Sequence, residues 1–247
     1  MSSENKTRLD SFLADAGYVK SRTLAAQLIK SGQVTVNGKP CTKPSYTVSD
    51  SDNINIEGDL PKYVSRGGLK LEKAIERFNI DLGGKSCIDI GASTGGFTDC
   101  MLQHGADRVY AVDVGTAQLD EKLKSDKRVI SMEKTDIRNA ELPQADFISV
   151  DVSFISLKLI LPSAYRLLKE NAALAALIKP QFEAGKSSLN KNGVVRDEKV
   201  HRRVCEEISA FAAEIGFNVI GVIPSPIEGG DGNREFLMYA VKGKGKE

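Results

Sequence analysis

From Ser86 onward, short apolar runs alternate with helical stretches, and this alternation limits the possible folds more than any other feature of the chain. Apolar runs recur at Cys87–Ile90, Val109–Val112, Phe147–Val150, Leu174–Ile178, Val219–Ile223 and Phe236–Val241. Helical stretches, notably Phe97–Gln103, Leu157–Leu168 and Asp197–Ile215, separate most of them. Continuous apolar runs suit strands buried on both faces, and an intervening helix brings the chain back for parallel pairing. The expected fold is α/β, a mostly parallel sheet covered by helices on both sides. Such sheets bind ligands outside the carboxyl ends of their strands, near the point where strand order reverses.

The first 59 residues follow a different pattern. Leu9, Phe12, Leu13 and Ala16 recur at helical spacing before Gly17, and Ser21 caps a second helix with Leu24, Ala25, Leu28 and Ile29 on its inner face. Val34–Val36 alternates apolar and polar residues and runs into Asn37-Gly38, a favoured hairpin turn. A second alternating stretch ends at Ile54–Ile56. The pattern predicts a small α+β unit over 1–59, a linker at 60–64 around Pro61, and a larger domain over 65–247.

Charge is informative only locally. Lys+Arg of 34 against Asp+Glu of 33 leaves the whole chain at +1. Residues 1–47 carry seven basic side chains (Lys6, Arg8, Lys20, Arg22, Lys30, Lys39, Lys43) and three acidic ones (Glu4, Asp10, Asp15), a local +4 suited to phosphates. The N-terminus is charged from Glu4, and the longest apolar run, Ala172–Ile178, falls far short of the roughly 20 residues that span a bilayer. Cys41, Cys87, Cys100 and Cys205 are scattered, with no CxxC pair. A cytoplasmic protein without membrane segment, disulfide or metal site is expected.

Cys87–Ile90 runs directly into Gly91-Ala92-Ser93-Thr94-Gly95-Gly96-Phe97, and a helix follows. Such a turn lets a ligand approach backbone N–H groups closely. A nucleoside-triphosphate loop would need Gly-Lys-Ser/Thr where Gly96-Phe97-Thr98 stands. A dinucleotide turn would want glycine at Ser93, beside the pyrophosphate. S-adenosylmethionine has no pyrophosphate and tolerates serine there. Asp89, Gly91, Ala92, Ser93, Gly95, Gly96 and Phe97 are therefore candidate cofactor contacts, joined by Asp151. Asp113, about 20 residues beyond the glycines, is placed to accept ribose hydroxyls. Asp136, after a further short apolar stretch, is the candidate acceptor for an adenine amino group.

Four ionisable residues stand where strands stop or a helix begins. Lys70 lies on a helix whose inner face is Leu71, Ile75 and Phe78, and Arg66, Lys70, Lys73 and Arg77 form a basic stripe along it. That stripe reads either as a solvated face balanced by Glu72 and Glu76 or as a contact for nucleic-acid phosphates. Asp151 ends one apolar run, Lys179 ends the next before Pro180, and Glu235 opens the last. Singly, each fits a structural ion pair. Together, Lys70, Asp151, Lys179 and Glu235 would surround one substrate hydroxyl.

The N-terminal segment resembles the S-four-like RNA-binding domain, through Arg8-Leu9-Asp10, Ser21-Arg22, Leu28-Ile29 and Val36-Asn37-Gly38 in the expected order. That resemblance implies structured RNA as ligand, with Arg8, Lys20, Arg22, Lys30 and Lys39 as contacts and Arg66 and Lys73 adding to them. The rest is similar to the FtsJ-like RNA 2′-O-ribose methyltransferases: GASTGGFTD, Asp113, Asp136, SVDVSF, ALIKP and NREFLMYA occur in that order. That family's Lys-Asp-Lys-Glu set maps onto Lys70, Asp151, Lys179 and Glu235. End to end, the chain resembles the TlyA family, often labelled hemolysin A. The resemblance implies a class I, Rossmann-like methyltransferase fold with S-adenosylmethionine as cofactor. It further implies ribosomal RNA or ribosomal subunits as partner, and 2′-O-methylation of cytidine in 16S or 23S RNA.

Lys179 is the candidate general base for the ribose hydroxyl, oriented by Asp151. Lys70 is placed to hold a phosphate or developing negative charge, and Glu235 to position a lysine. Base methylation is the nearest rival, but Asp151-Val-Ser-Phe154 lacks the two prolines of amino-group methyltransferases, and Cys87 and Cys100 read as core residues. An RNA-binding assembly factor with a vestigial pocket is a second alternative and a hemolysin a third. His201 reads as part of a solvated helix face, and residues 187–196 as a mobile loop, a lid at the cofactor edge.

Overall fold

A computed structural model of the chain describes residues 6–19, 21–58, 61–229 and 232–243. Two compact units result, Met1–Leu60 and Pro61–Glu247.

The first unit comprises β1 (Thr7–Arg8), α1 (Leu9–Asp15), α2 (Arg22–Lys30), β2 (Val34–Val36), β3 (Lys39–Pro40), β4 (Thr47–Val48) and β5 (Ile54–Ile56). Ser21 caps α2 by accepting the Leu24 N–H at 3.2 Å. Asn37 and Gly38 both take positive φ (52° and 74°), the conformation a two-residue hairpin turn requires between β2 and β3. Leu9, Leu13, Ala25, Leu28, Ile29 and Val34 pack the core. Arg8 and Arg22 converge on Asp10, at 2.7 and 3.3 Å. The Arg8 hydrogen bond leads in holding that carboxyl at about 2, with Arg22 contributing. These two candidate RNA contacts are thus oriented by one shared acid, while Lys30 and Lys39 are exposed. Lys20 lies outside the described residues.

The second unit runs α3 (Gly67–Phe78), β6 (Ser86–Ile90), α4 (Gly96–Gln103), β7 (Arg108–Val112), α5 (Glu121–Lys124), β8 (Val129–Met132), β9 (Ala145–Val150), α6 (Leu161–Leu167), β10 (Leu168–Ile178), α7 (Pro180–Glu183), α8 (Glu198–Glu214), β11 (Phe217–Pro224) and β12 (Phe236–Lys242). Its seven strands lie in the order β11-β12-β10-β9-β6-β7-β8, with β12 alone antiparallel to its neighbours. From β6 the chain proceeds outward to β7 and β8, then returns to β9 on the other side of β6. The reversal opens a crevice at the carboxyl ends of β6 and β9.

Side chains alternate across the sheet, and both faces are covered. Ile88, Ile148, Leu174 and Ala176 pack with Leu161, Ala164, Val204 and Ile208 of α6 and α8. Cys87, Phe147, Ala175 and Leu177 pack with Leu71, Ala74, Cys100 and Met101 of α3 and α4. That double burial is why these strands read as unbroken apolar runs rather than alternating ones.

Several expectations change. The helix expected over Leu157–Leu168 is a short 3₁₀ turn, Leu157–Leu159, followed by α6, and Leu168 already begins β10. The early start comes from pairing of Leu168 with Ala145 of β9, and Lys242 donates to the Leu168 carbonyl at 2.9 Å and pairs with Glu170 at 3.1 Å. Residues 61–64, expected within the linker, belong to the second unit. Val64 N–H donates to Asp99 at 2.9 Å, Gln103 donates to the Lys62 carbonyl at 3.0 Å, and Tyr63 packs where a Gly68 side chain would otherwise sit. His201 is buried rather than solvated: Nε2–H donates to the Val195 carbonyl at 3.0 Å, and the ring lies 5.6 Å from that of Phe236. The expected lid is pinned at its end, since Asn233 accepts the Val195 N–H at 3.0 Å and donates to the Gly193 carbonyl at 3.2 Å.

Candidate active site

β6 delivers the glycine turn to the switch point. Gly91 takes φ +84°, and a Cβ there would stand 2.4 Å from the Asp151 carbonyl oxygen, so only glycine lets β6 and the end of β9 approach this closely. A Cβ on Gly96 would meet Ser65 Oγ at 2.3 Å and the Gly68 nitrogen at 2.9 Å. The turn is thereby held between β9 and the start of α3. A cavity of about 310 Å³ lies against it, bounded by Gly91, Ala92, Ser93 and Phe97 on the turn and by Lys70, Asp151 and Lys179 opposite. Arg66 also lines it, so this candidate RNA contact borders the reaction site, whereas Lys73 is exposed outside the cavity.

The polar quartet resolves into two ion pairs. Lys179 Nζ lies 2.6 Å from Asp151 Oδ1 and donates to Ser153 Oγ at 2.9 Å. The Lys179–Asp151 contact lacks hydrogen-bond geometry, leaving the buried Oδ1 without a donor. Lys70 Nζ donates to Glu235 Oε2 at 2.6 Å, and both side chains are buried. Lys70, Asp151 and Lys179 face the cavity. Glu235 does not line it but stands behind Lys70, packed against Gly229, where a Cβ would come within 2.6 Å of Glu235 Oε1. Its carboxylate anchors the Lys70 amine from behind.

Asp89 is placed differently from expectation. It is fully buried beneath the turn and accepts Thr98 Oγ1–H at 2.6 Å and Ser149 Oγ–H at 2.8 Å, fastening α4 and β9 to β6 rather than lining the cavity. Burial raises its carboxyl from the ordinary aspartate range to about 6, against those two bonds. Between pH 4 and 6 the native state therefore binds more protons than the unfolded chain, and Asp89 costs stability as pH rises through that window. Against the neutral Asp89→Asn variant, the wild-type protein should lose about 2 kcal/mol of relative stability between pH 4 and 7. Denaturant melts at both pH values measure this, and a pH-independent difference would refute it.

Asp113 closes β7 and accepts the Ser93 and Gly115 N–H groups, each at 2.7 Å. It lines a small recess adjoining the turn together with Gly115, Gln118 and Glu133. Asp136 is not there. Both of its oxygens are bonded to the Arg138 side chain at 2.6–3.0 Å, which holds the carboxyl below its usual range. The reason is strand length: β8 ends at Met132, so Glu133, not Asp136, stands at its carboxyl end. Asp113→Ala should weaken cofactor binding by about tenfold, the loss of one or two charge-assisted hydrogen bonds, while Asp136→Ala leaves it unchanged. Calorimetric titration with S-adenosylmethionine separates the two.

Two exposed apolar side chains border these residues and were not singled out from the sequence. Val114, directly after Asp113, is 72% exposed. Phe154 is 91% exposed, holds φ at +63° and lies 5.0 Å from the Phe182 ring, next to Ser153. An exposed aromatic in left-handed backbone stood out only once φ and burial were known. By contrast, Cys87 and Cys100 are wholly buried, and burial pushes both thiols up to about 12, so neither provides a nucleophile. Among the described residues no group of side chains is arranged to hold a metal, and no helix is long and apolar enough to cross a membrane.

The fold agrees with comparisons to known proteins. Residues 63–242 match the FtsJ-like methyltransferase family, and residues 7–54 match the S4 domain. The chain is 39% identical over 240 residues to the 16S/23S rRNA (cytidine-2′-O)-methyltransferase TlyA of Mycobacterium tuberculosis, covering 95% of this chain and 89% of that one. It is 42% identical over 241 residues to hemolysin A of Brachyspira hyodysenteriae, covering 95% and 99%. Among solved structures, a chain from Streptococcus thermophilus named as a hemolysin superposes with a TM-score of 0.76 at 46% identity, covering 98% of this chain and 90% of that one.

Proposed function

The chain belongs to the FtsJ-like methyltransferase family, and from that premise we propose that it is an S-adenosylmethionine-dependent 2′-O-ribose methyltransferase acting on cytidine in ribosomal RNA. The observation that carries the reading is the Lys179 amine, 2.6 Å from Asp151 and 2.9 Å from Ser153. It lines the same cavity as the glycine turn. Two kinds of support extend it to RNA: the S4 domain at residues 7–54 and the TlyA relatives named for cytidine 2′-O-methylation of rRNA.

The cavity fits the cofactor. Its turn is shaped by Gly91 and Gly96, where any Cβ would clash, and Asp113 stands at the adjoining recess with exposed Val114 beside it. Gly91, Ala92, Ser93, Gly96 and Phe97 would hold the methionine and ribose portions, with Asp113 and Glu133 toward the nucleoside. When bound, S-adenosylmethionine supplies an electrophilic methyl group on a cationic sulfur.

Lys179 acts on the ribose hydroxyl. Its Nζ donates to Ser153, lies against the Asp151 carboxylate and lines the cavity. A neutral Nζ in that place takes the 2′-hydroxyl proton, and Asp151 stabilises the ammonium that forms. Lys70, anchored by Glu235, holds positive charge where oxygen gains negative charge. Phe154 offers a face on which an unstacked target base rests. A base-directed carbon methylation is disfavoured by the two buried, protonated thiols.

The test is direct. Purified protein, labelled methyl donor and rRNA from cells lacking the protein should yield 2′-O-methylcytidine after digestion to nucleosides. Recovery of the label in a base-methylated nucleoside, or no transfer at all, would overturn the reading.

A further inference from the structure

A second cavity, of about 330 Å³, opens on the α8 side of the sheet among the first turns of α8, the end of β11 and the start of β12. Val222, Pro224 and Phe236 give it an apolar floor, and Arg202 and Arg234 stand in its wall. Arg234 pairs with exposed Glu198 at 3.2 Å, a contact of small energetic weight. Among the described residues Arg202 has no carboxylate within 4.0 Å, although the next residue, Arg203, pairs with Glu207. An unpaired guanidinium above an aromatic and aliphatic floor complements a nucleotide: planar base below, phosphate at the mouth.

Position within the sheet says which nucleotide. β10 and β11 both run antiparallel to β12, so Pro224 at the end of β11 and Phe236 at the start of β12 lie on the same edge as Asp151 and Lys179. Only β12 separates β10 from β11, a distance of about 10 Å at ordinary strand spacing. Along β12, Glu235 turns to Lys70 on the α3 side, while Arg234 and Phe236 turn to the α8 side. A single strand lying along this edge with one ribose at Lys179 carries a neighbouring nucleotide to the second cavity.

We propose that this cavity receives an unstacked nucleotide of the RNA substrate flanking the methylated one, its base on Phe236 and Pro224 and its phosphate on Arg202. The inference rests on the reading of the chain as an RNA methyltransferase and adds a substrate subsite to it. It gives the enzyme a sequence-tolerant grip beside the reaction centre, because every base presents a π face.

Equilibrium filter binding to deproteinised rRNA from cells lacking the protein tests the subsite without requiring turnover. Arg202→Glu should weaken binding about tenfold. Cys205→Trp, which fills the cavity without changing charge, should lose a comparable factor, and Arg203→Glu should stay within about twofold. Calorimetric binding of S-adenosylmethionine should be unchanged in all three, which verifies folding. Equal losses for Arg202→Glu and Arg203→Glu, or wild-type RNA affinity in a folded Cys205→Trp, would overturn the subsite. So would cytidine monophosphate that perturbs the Val222 and Phe236 amide resonances and is not displaced by saturating rRNA, since the cavity would then serve a free nucleotide. Methyl transfer by the wild-type protein to the same RNA is a separate readout, and its absence would strike the proposed function while the binding result stands.

Discussion

Lys179→Ala should lower single-turnover methyl transfer to rRNA by about a thousandfold, within the range that a positioned general base contributes. Binding of S-adenosylmethionine should stay within about twofold, because the turn that would hold it is shaped by glycines and Asp113 and not by the amine. Lys179→Arg should fail to restore activity, since a guanidinium keeps its proton at any accessible pH. The pair of measurements isolates proton transfer from binding: Lys179 meets the Asp151 carboxylate and donates to Ser153 through Nζ alone. Turnover by Lys179→Ala within a factor of ten of wild type would remove this residue as the base.

The second large effect concerns stability. Lys70 and Glu235 meet at 2.6 Å with side chains only 10% and 3% exposed. Removing one member of such a pair strands the other charge in a poorly hydrated site, at a cost of about 3–5 kcal/mol. Glu235→Ala should therefore melt well below wild type, by about 6–20 °C for a chain of this size. Replacing both, Lys70→Met with Glu235→Leu, should recover much of that stability, because no buried charge is left alone. Methyl transfer should remain low in the double variant, since Lys70 is the member that faces the cavity. A single Glu235→Ala variant melting like wild type would show that the pair is solvated after all. Recovery of activity together with stability in the double variant would deny Lys70 a part in the reaction.

The two ion pairs also show why the quartet behaves as a set. Lys179 and Asp151 follow directly on adjacent parallel strands, β10 and β9, so the pairing of those strands brings them to the same edge. Lys70 and Glu235 are 165 residues apart and meet only because α3 packs on the sheet beside β12. One pair is oriented for chemistry at the cavity, and the other fixes a charge at its wall.

Much of this architecture was legible in advance. Six of the seven strands announce themselves as apolar runs because helices cover both faces of the sheet. The seventh, β8, is an edge strand whose residues are half or fully exposed, so its run is weak. Beside Asp113, Glu133 lines the recess, and Asp136 is bonded to Arg138. Asp89 was legible as a residue near the turn but not as a buried one, because its partners Thr98 and Ser149 come from two other elements. His201 and the Gly193–Val195 segment were misread for a related reason: their anchors, Phe236 and Asn233, lie some 35 to 40 residues away, on or beside β12.

The order of residues along the chain determined where strands stop, which acids and amines stand at those stops, and which glycines shape the turn, since each is a property of a local run and its boundary. Which charges pair, which acid is buried, which acid lines the recess and which aromatic is left bare were decided by packing. Those outcomes depend on strand order and on contacts between distant segments, for which a linear pattern carries no local signal.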